Sequence, residues 1–262
     1  MSALSLRPLL ERGSPLIVPG AADVLSAKLI EAHGFPAVYI GSYATAASRF
    51  GLRDTGLLSL DQLVEHARSI AGAVKVPVIA DAEGGFHEAP DIGRTVRAFE
   101  EAGVAAIHIE DHTGAGKHTA EPQTLRPAAE VAARIRAAVD ARTRGDFLIA
   151  ARSDAFWVAR DLEDCIARLK AYADAGADLV FPTLVGPAEA AEVCRRVGRP
   201  LMIVDMPGCG VEAHKDAAIV LYYAFSTLAY FEAMNRALER FKRDGAAPGG
   251  QAEFERFLGY SP

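Results

Sequence analysis

The sequence predicts a closed (β/α)8 TIM barrel, and three observations carry that prediction. Apolar runs of strand length alternate with helical patterns from end to end, and the runs number eight. A repeated unit links them: a helix closes on glycine and an apolar strand follows, as in KLIEAHGFPAVYIGS (28–42), RAFEEAGVAAIHIED (97–111) and KAYADAGADLVFPT (170–183). Glycine suits the left-handed position just past a helix end. At 262 residues the chain also has a length at which α/β barrels form single domains.

Taken in order, the strands are centred near Ile17, Val38, Val78, Ile107, Leu148, Val180, Ile203 and Val220. Most are continuously apolar rather than alternating, as strands covered on both faces should be. Helical patterns fall between them, clearest over Ser59 to Ala73, Pro127 to Ala141 and Leu162 to Ala175. An open doubly wound sheet is the alternative. Its nucleotide-binding versions lose support because no G-x-G-x-x-G follows the first strand and no G-x-x-x-x-G-K-[ST] occurs. Residues 1–243 read as the barrel. The tail 244–262 reads as a Gly/Pro/Ala hinge and a short amphipathic helix of the same domain, carrying Phe254, Phe257 and Leu258. That helix needs a surface to cover, on a neighbouring subunit or on its own barrel.

The formal net charge of −6 argues against a nucleic-acid binder. The first residues lack a secretory pattern, and no apolar run approaches the about 20 residues that span a bilayer. Three widely spaced cysteines without a CxxC pair point to neither a disulfide framework nor a structural zinc site, so the expected compartment is the cytoplasm. Cys165 and Cys194 lie in helical patterns as filler; Cys209, in MPGCG, sits on an expected loop and stands apart.

The stretch VPVIADAEGGFHEAP (76–90) carries the chemistry. A buried strand ends on Asp81 and Glu83, and residues i and i+2 of a strand face one side. Two carboxylates so close call for a cation or a proton between them. Catalytic groups of such barrels come from the C-terminal ends of strands. Those ends carry Gly41, Ser42 and Tyr43 with Arg53 and Asp54 beyond them, then Asp81 and Glu83, Glu110 and Asp111, Arg152 and Asp154, and Asp205. Asp81, Glu83 and Glu110 form an all-oxygen set suited to Mg²⁺, or Mn²⁺; the alternative is that Arg152, Lys117 or Arg53 pairs with them. The glycine-containing loop EDHTGAGKHTAEPQTLRP (110–127) is a candidate lid that supplies Lys117 and His118 as catalytic candidates. Lys117 would neutralise an oxyanion or donate a proton, or else be solvated. His87, His112 and His118 read as solvent-facing, His108 as a satisfied core or barrel-interior histidine, and Phe156 and Trp157 as packing beneath the next helix, with a pocket wall as the alternative.

These residues together resemble the isocitrate lyase/phosphoenolpyruvate mutase superfamily. The carriers are YIGSYATAASRFGLRDTG, VPVIADAEGGFHEAPDIGRTVRAFEEAGVAAIHIED, the lysine of GKHT, and IAARSDAF. The resemblance runs from about Ala21 to Phe241. It implies a barrel, commonly tetrameric as a dimer of dimers, with its last helix exchanged between subunits, and Mg²⁺ chelated by an α-oxo or α-hydroxy carboxylate. By position it implies that Gly41 and Ser42 bind a substrate carboxylate, in a set with Tyr39, Tyr43, Asp54 and Arg152. Asp81, Glu83 and Glu110 would hold the metal with Asp54 beside them, and Lys117 would come from a gating loop.

Two departures stand out. The superfamily's usual second acid in the strand-three motif is aspartate, where this chain has Glu83. The lyases carry a KRCGH-type loop with an acid cysteine, whereas this loop reads GKHTAE. A KTN-like asparagine is missing too. The resulting expectation is a Mg²⁺-dependent lyase or decarboxylase of a small 2-oxo or 2-hydroxy di- or tricarboxylate, oxaloacetate-like by preference. The alternatives are a phosphonopyruvate-type hydrolase or mutase, and a non-catalytic carboxylate-binding barrel.

Overall fold

The structure is a computed structural model that describes residues 4–13, 15–114, 117–119, 123–205 and 209–260. The chain divides into two compact units, Met1–Ser226 and Thr227–Pro262.

In the first unit, α1 (Arg7–Leu10) precedes β1 (Leu16–Pro19), α2 (Val24–Ala32), β2 (Val38–Ile40), α3 (Ser42–Phe50), α4 (Leu60–Ala71) and β3 (Val78–Asp81). Then follow α5 (Gly93–Ala102), β4 (Ala106–Glu110), α6 (Ala128–Asp140), β5 (Leu148–Ser153), α7 (Ala155–Ala159), α8 (Leu162–Asp174) and β6 (Leu179–Pro182). The series continues through α9 (Pro187–Val197), β7 (Met202–Val204), a 3-10 turn (Val211–His214), β8 (Ile219–Tyr222) and α10 (Phe225–Asp244), which runs into the second unit with α11 (Gln251–Phe257). All eight expected strands are present. They pair in parallel as β1–β8–β7 and β2–β3–β4–β5–β6, and single bridges at Gly20–Tyr39 and Val180–Leu201 join the two sheets into a barrel-like ring.

Local chemistry sets the element ends. Asp23, Ser59 and Asp161 accept backbone N–H bonds as N-caps of α2, α4 and α8. The three glycines of the repeated unit, Gly34, Gly103 and Gly176, all hold positive φ, where a side chain would be strained.

Alternation along the strands builds two cores. Val38, Ile40, Val78, Ala80, Ile107, Ile109, Ile149, Ala151 and Val180 belong to the larger cluster with the helices. Their neighbours Tyr39, Ile79, Ala106, Leu148, Ala150, Leu179 and Phe181 belong to the interior cluster. Leu6, with Leu9 and Leu10 of α1, packs on that interior cluster, a plug that hydrophobic periodicity does not reveal in so short a helix.

Candidate active site

Continuing the inner alternation beyond the apolar layer reaches the side-chain-free Gly41 after Tyr39 and then polar side chains: Asp81 after Ile79, His108 and Glu110 after Ala106, Arg152 after Ala150, and Thr183 after Phe181. The register sets Asp81 opposite His108 and Glu110 opposite Arg152, so acids and cations share one layer at the C-terminal mouth.

Asp81 is held on all sides. Its Oδ2 accepts from the Ser42 amide (3.2 Å) and the Ser42 hydroxyl (2.8 Å), and its Oδ1 accepts from the Glu83 amide (2.8 Å). His108, bonded to the Tyr39 hydroxyl at 2.9 Å, stands 3.7 Å from the same carboxylate. Burial alone would raise the Asp81 carboxyl, but the charges of His108, Lys117 and Arg152 hold it below the usual carboxylate range. Ser42 was expected to meet a substrate carboxylate; here both of its donors position Asp81.

Glu83 joins the site by a different route from the one expected. The strand ends at Asp81, so same-face alternation does not reach it. Instead Glu83 takes the left-handed conformation (φ 48°), and its carbonyl accepts from the Glu110 amide at 2.9 Å. This turn brings its carboxylate beside those of Asp81 and Glu110, one ligand atom of each lying within 4.8 Å of the others. Burial, then the nearby Asp81 charge, pushes its carboxyl up to about 8.

Two cations serve this acid layer. The Lys117 ammonium is buried 2.8 Å from Glu83 Oε2, 2.9 Å from Glu110 Oε1 and 3.9 Å from Asp54. Against the cost of burial, Glu110 and Glu83 hold it charged, its pKa raised above the ordinary value. This burial sets aside the alternative of a solvated loop lysine. Arg152 Nη1 lies 3.1 Å from Glu110 Oε2, its Nε donates to Asp154 (2.8 Å) and Thr183 (2.9 Å), and it covers the Phe181 ring. Arg53, weighed as another partner, is exposed.

The donors fit a hard divalent cation. They are all oxygen, Glu83 Oε1 is buried without a hydrogen-bond partner among the described residues, and the carboxylates Asp54, Asp81, Glu83, Glu110 and Asp154 outnumber the cations Lys117 and Arg152. Part of the positive charge that the acids demand is nonetheless supplied by the chain itself.

Beside this layer opens a cavity of about 240 Å³. Tyr39, Gly41, Ser42, Asp54, Asp81, Lys117 and Arg152 form its polar side; Phe181, Leu184, Val204, Trp157 and Tyr223 wall it. His118 Nε2 lies 3.3 Å from Asp54 Oδ2, and its ring packs against Trp157 (4.9 Å) and Tyr43 (6.2 Å). Trp157 therefore walls the pocket, contrary to the packing role expected of it. His112 was expected to face solvent and instead is buried: its Nε2 pairs with Gln123, its Nδ1 accepts from the Gly114 amide, and Trp157 lies over it. Glu83, His118 and Leu184 all adopt positive φ, so backbone strain gathers at this site. The lid assigned to residues 110–127 includes 115, 116 and 120–122, which lie outside the described residues.

Sequence reasoning missed Thr183 as the second partner that fixes Arg152, and Phe181 and Tyr223 as walls. The same two-residue alternation that located Arg152 would have found Phe181 and Thr183.

Residues 6–242 match the family described as phosphoenolpyruvate phosphomutase. The chain is 38% identical to 2,3-dimethylmalate lyase of Eubacterium barkeri over 202 residues, covering 76% of this chain and 68% of that enzyme. It is 35% identical to 2-methylisocitrate lyase of Salmonella typhimurium over 244 residues, covering 90% and 82%. Among solved structures it resembles oxaloacetate acetylhydrolase bound to 3,3-difluorooxalacetate (TM-score 0.89, 29% identity, 97% and 92% covered). It also resembles phosphonopyruvate hydrolase bound to oxalate and Mg²⁺ (TM-score 0.85, 28% identity, 97% and 93% covered).

Proposed function

The chain belongs to the phosphoenolpyruvate mutase/isocitrate lyase superfamily and is a carbon–carbon lyase, and on that premise we propose that it cleaves a small 2-hydroxy or 2-oxo diacid bearing an apolar substituent. The observation that carries this reading is the convergence of Asp54, Asp81, Lys117 and Arg152 on one cavity that is otherwise walled by apolar side chains, with Glu110 paired to both cations. Charged groups suit the carboxylates of such a substrate, and Phe181, Leu184 and Val204 suit an alkyl group.

Asp81, Glu83 and Glu110 would hold a Mg²⁺ ion. When bound, it supplies electrophilic stabilisation of a developing enolate oxygen. Arg152, fixed by Asp154 and Thr183, adds a preorganised positive charge at the same place. His118, paired with Asp54, takes the proton of the substrate hydroxyl. The C2–C3 bond then breaks, leaving a 2-oxo acid and the carbanion of the second acid. Lys117 returns a proton to that carbanion, a role for which no cysteine lines the cavity among the described residues.

The His118–Asp54 pair favours the hydroxy-acid reaction. Decarboxylation of an oxaloacetate-like acid, which needs no such base, is the second reading; the likeness to an oxaloacetate acetylhydrolase that binds difluorooxalacetate supports the substrate class alone. A panel of 2,3-dimethylmalate, 2-methylisocitrate, oxaloacetate and phosphonopyruvate, with Mg²⁺ and with the metal-only background subtracted, separates these. Carbon–carbon cleavage yields two acids, decarboxylation yields CO₂, and phosphonate hydrolysis yields phosphate. Turnover of none of the four, with ligand-induced stabilisation alone, would leave a binding protein.

The assembly is a further part of the proposal. Along α10, Leu228, Phe231, Met234, Leu238 and Phe241 recur at helical spacing and are exposed. A second copy of the chain covers this stripe in a homo-oligomer that exchanges its last helices, built as a dimer of dimers. Size measurement of the purified protein tests it.

A further inference from the structure

A second cluster of metal-binding side chains lies after β7, and its chemistry differs from that of the acid layer. Asp205, Cys209 and His214 place one carboxylate oxygen, one thiol sulfur and one imidazole nitrogen all within 4.8 Å of one another. The three residues span ten positions of sequence in the pattern D-x3-C-x4-H. Residues 206–208 between them lie outside the described residues.

The backbone that carries Asp205 and His214 is held by hydrogen bonds and by a defined turn. The Asp205 amide donates to the Leu221 carbonyl of β8 at 3.1 Å. Gly210 takes φ 75°, which lets the chain turn at once into the 3-10 turn that presents His214. The Ala217 amide then bonds the His214 carbonyl at 2.9 Å.

His214 is buried, and its Nε2 lies 2.6 Å from Asp205 Oδ1. Its Nδ1 is buried with no hydrogen-bond partner among the described residues. Because a carboxylate oxygen only accepts, the Nε2–Oδ1 contact puts the proton of the neutral ring on Nε2 and leaves the buried Nδ1 as a lone pair. Transfer of that proton to Nδ1 frees the Nε2 lone pair, which then faces Asp205 and Cys209.

We propose that Asp205, Cys209 and His214 form a second metal site, one for a borderline-soft divalent cation of the zinc type. A thiolate and an imidazole select such an ion over Mg²⁺, while a set of oxygens alone does the reverse. On binding, the ring proton moves from Nε2 to Nδ1 and the thiol proton of Cys209 leaves to solvent. Thiolate and carboxylate together then neutralise the two positive charges, and three protein ligands leave a fourth position for water. Val204, the residue before Asp205, walls the active-site cavity. The ion braces that wall by tying the end of β7 to the turn that leads into β8.

Cobalt(II) reports on this site directly, because a thiolate ligand gives it an intense charge-transfer absorption. The full chain, with excess Mg²⁺ present to occupy the oxygen site, is titrated with Co²⁺ and then back-titrated with Zn²⁺. The expected result is one equivalent of thiolate-bound Co²⁺ per chain, displaced by Zn²⁺. Cys209→Ser abolishes the band, His214→Ala weakens Zn²⁺ binding at least about tenfold, and Asp81→Ala leaves the band in place. Circular dichroism and a melting curve verify that each variant is folded; Cys209 is only half-buried, so its replacement should leave the fold intact. No thiolate band in the wild type overturns the proposal. So does an unchanged band in Cys209→Ser, or its loss in Asp81→Ala.

Discussion

Glu110 and Asp111 are adjacent acids at the end of one strand, equally buried, and they do opposite things. Glu110 points into the barrel mouth, where it meets Lys117 and Arg152 beside a cavity. Asp111 points outward and is enclosed: it accepts from the Ser153 hydroxyl (2.8 Å), the Asp154 amide (2.8 Å) and the Tyr172 hydroxyl (3.0 Å), with Arg168 at 3.4 Å. The inner acid layer leaves carboxylate oxygen unbonded and space beside it. The outer one satisfies its acid with three hydrogen bonds and a nearby guanidinium. Burial and charge alone therefore do not mark a functional acid; an unfilled coordination demand next to a cavity does.

The comparison can be broken or sharpened by substitution. The largest effect should come from Arg152→Lys. A lysine replaces the fork that Asp154, Thr183 and Glu110 hold, and kcat/KM for the best substrate of the panel should fall about 10³-fold while the melting curve moves little. A comparable fall in stability would put Arg152 on the structural side.

Asp111→Asn should do the reverse. Losing the charge that faces Arg168 and one acceptor for three donors should cost about 3 kcal/mol in denaturant unfolding, with turnover per folded molecule retained. His66 of α4 extends the structural side to pH. Burial, then the neighbouring Arg49, lowers its imidazole to about 4, so the fold requires the neutral ring. Its contribution is complete above the ordinary value of 6.5 and is lost as the pH falls towards 4, by about 3 kcal/mol. The difference in unfolding free energy between wild type and His66→Gln should accordingly shrink over that window; a constant difference would refute the assignment.

The smallest effect returns to the inner layer. Ser42→Ala removes one of the hydrogen bonds that aim Asp81 and should lower kcat/KM roughly five- to tenfold, about 1 kcal/mol, with KM nearly constant. A rise in KM alone would mean that Ser42 holds substrate directly.

What could be read from the sequence follows the same division. The eight strands were legible because strands covered on both faces are written as unbroken apolar runs. Asp81, Glu110 and Arg152 were legible because strand ends of a barrel converge. Glu83 was placed correctly for the wrong reason, since a left-handed turn delivers it. The burial of His112, the wall formed by Trp157 and the plug at Leu6 depend on contacts between segments far apart in sequence, which no local period encodes. Among the acids, nothing in the sequence separated Glu110 from Asp111 except the phase of alternation, and phase is readable only once the strand's inner face is known.

The central claim is that the inner acids form a working Mg²⁺ site. We would measure Mg²⁺-dependent cleavage of the panel substrates by wild type, Glu110→Gln and Asp111→Asn, with Mg²⁺ binding followed by calorimetry on the same samples. Glu110→Gln should lose both metal binding and turnover while remaining folded, and Asp111→Asn should keep both although it melts earlier. Equal metal binding and turnover in Glu110→Gln and wild type would contradict that claim.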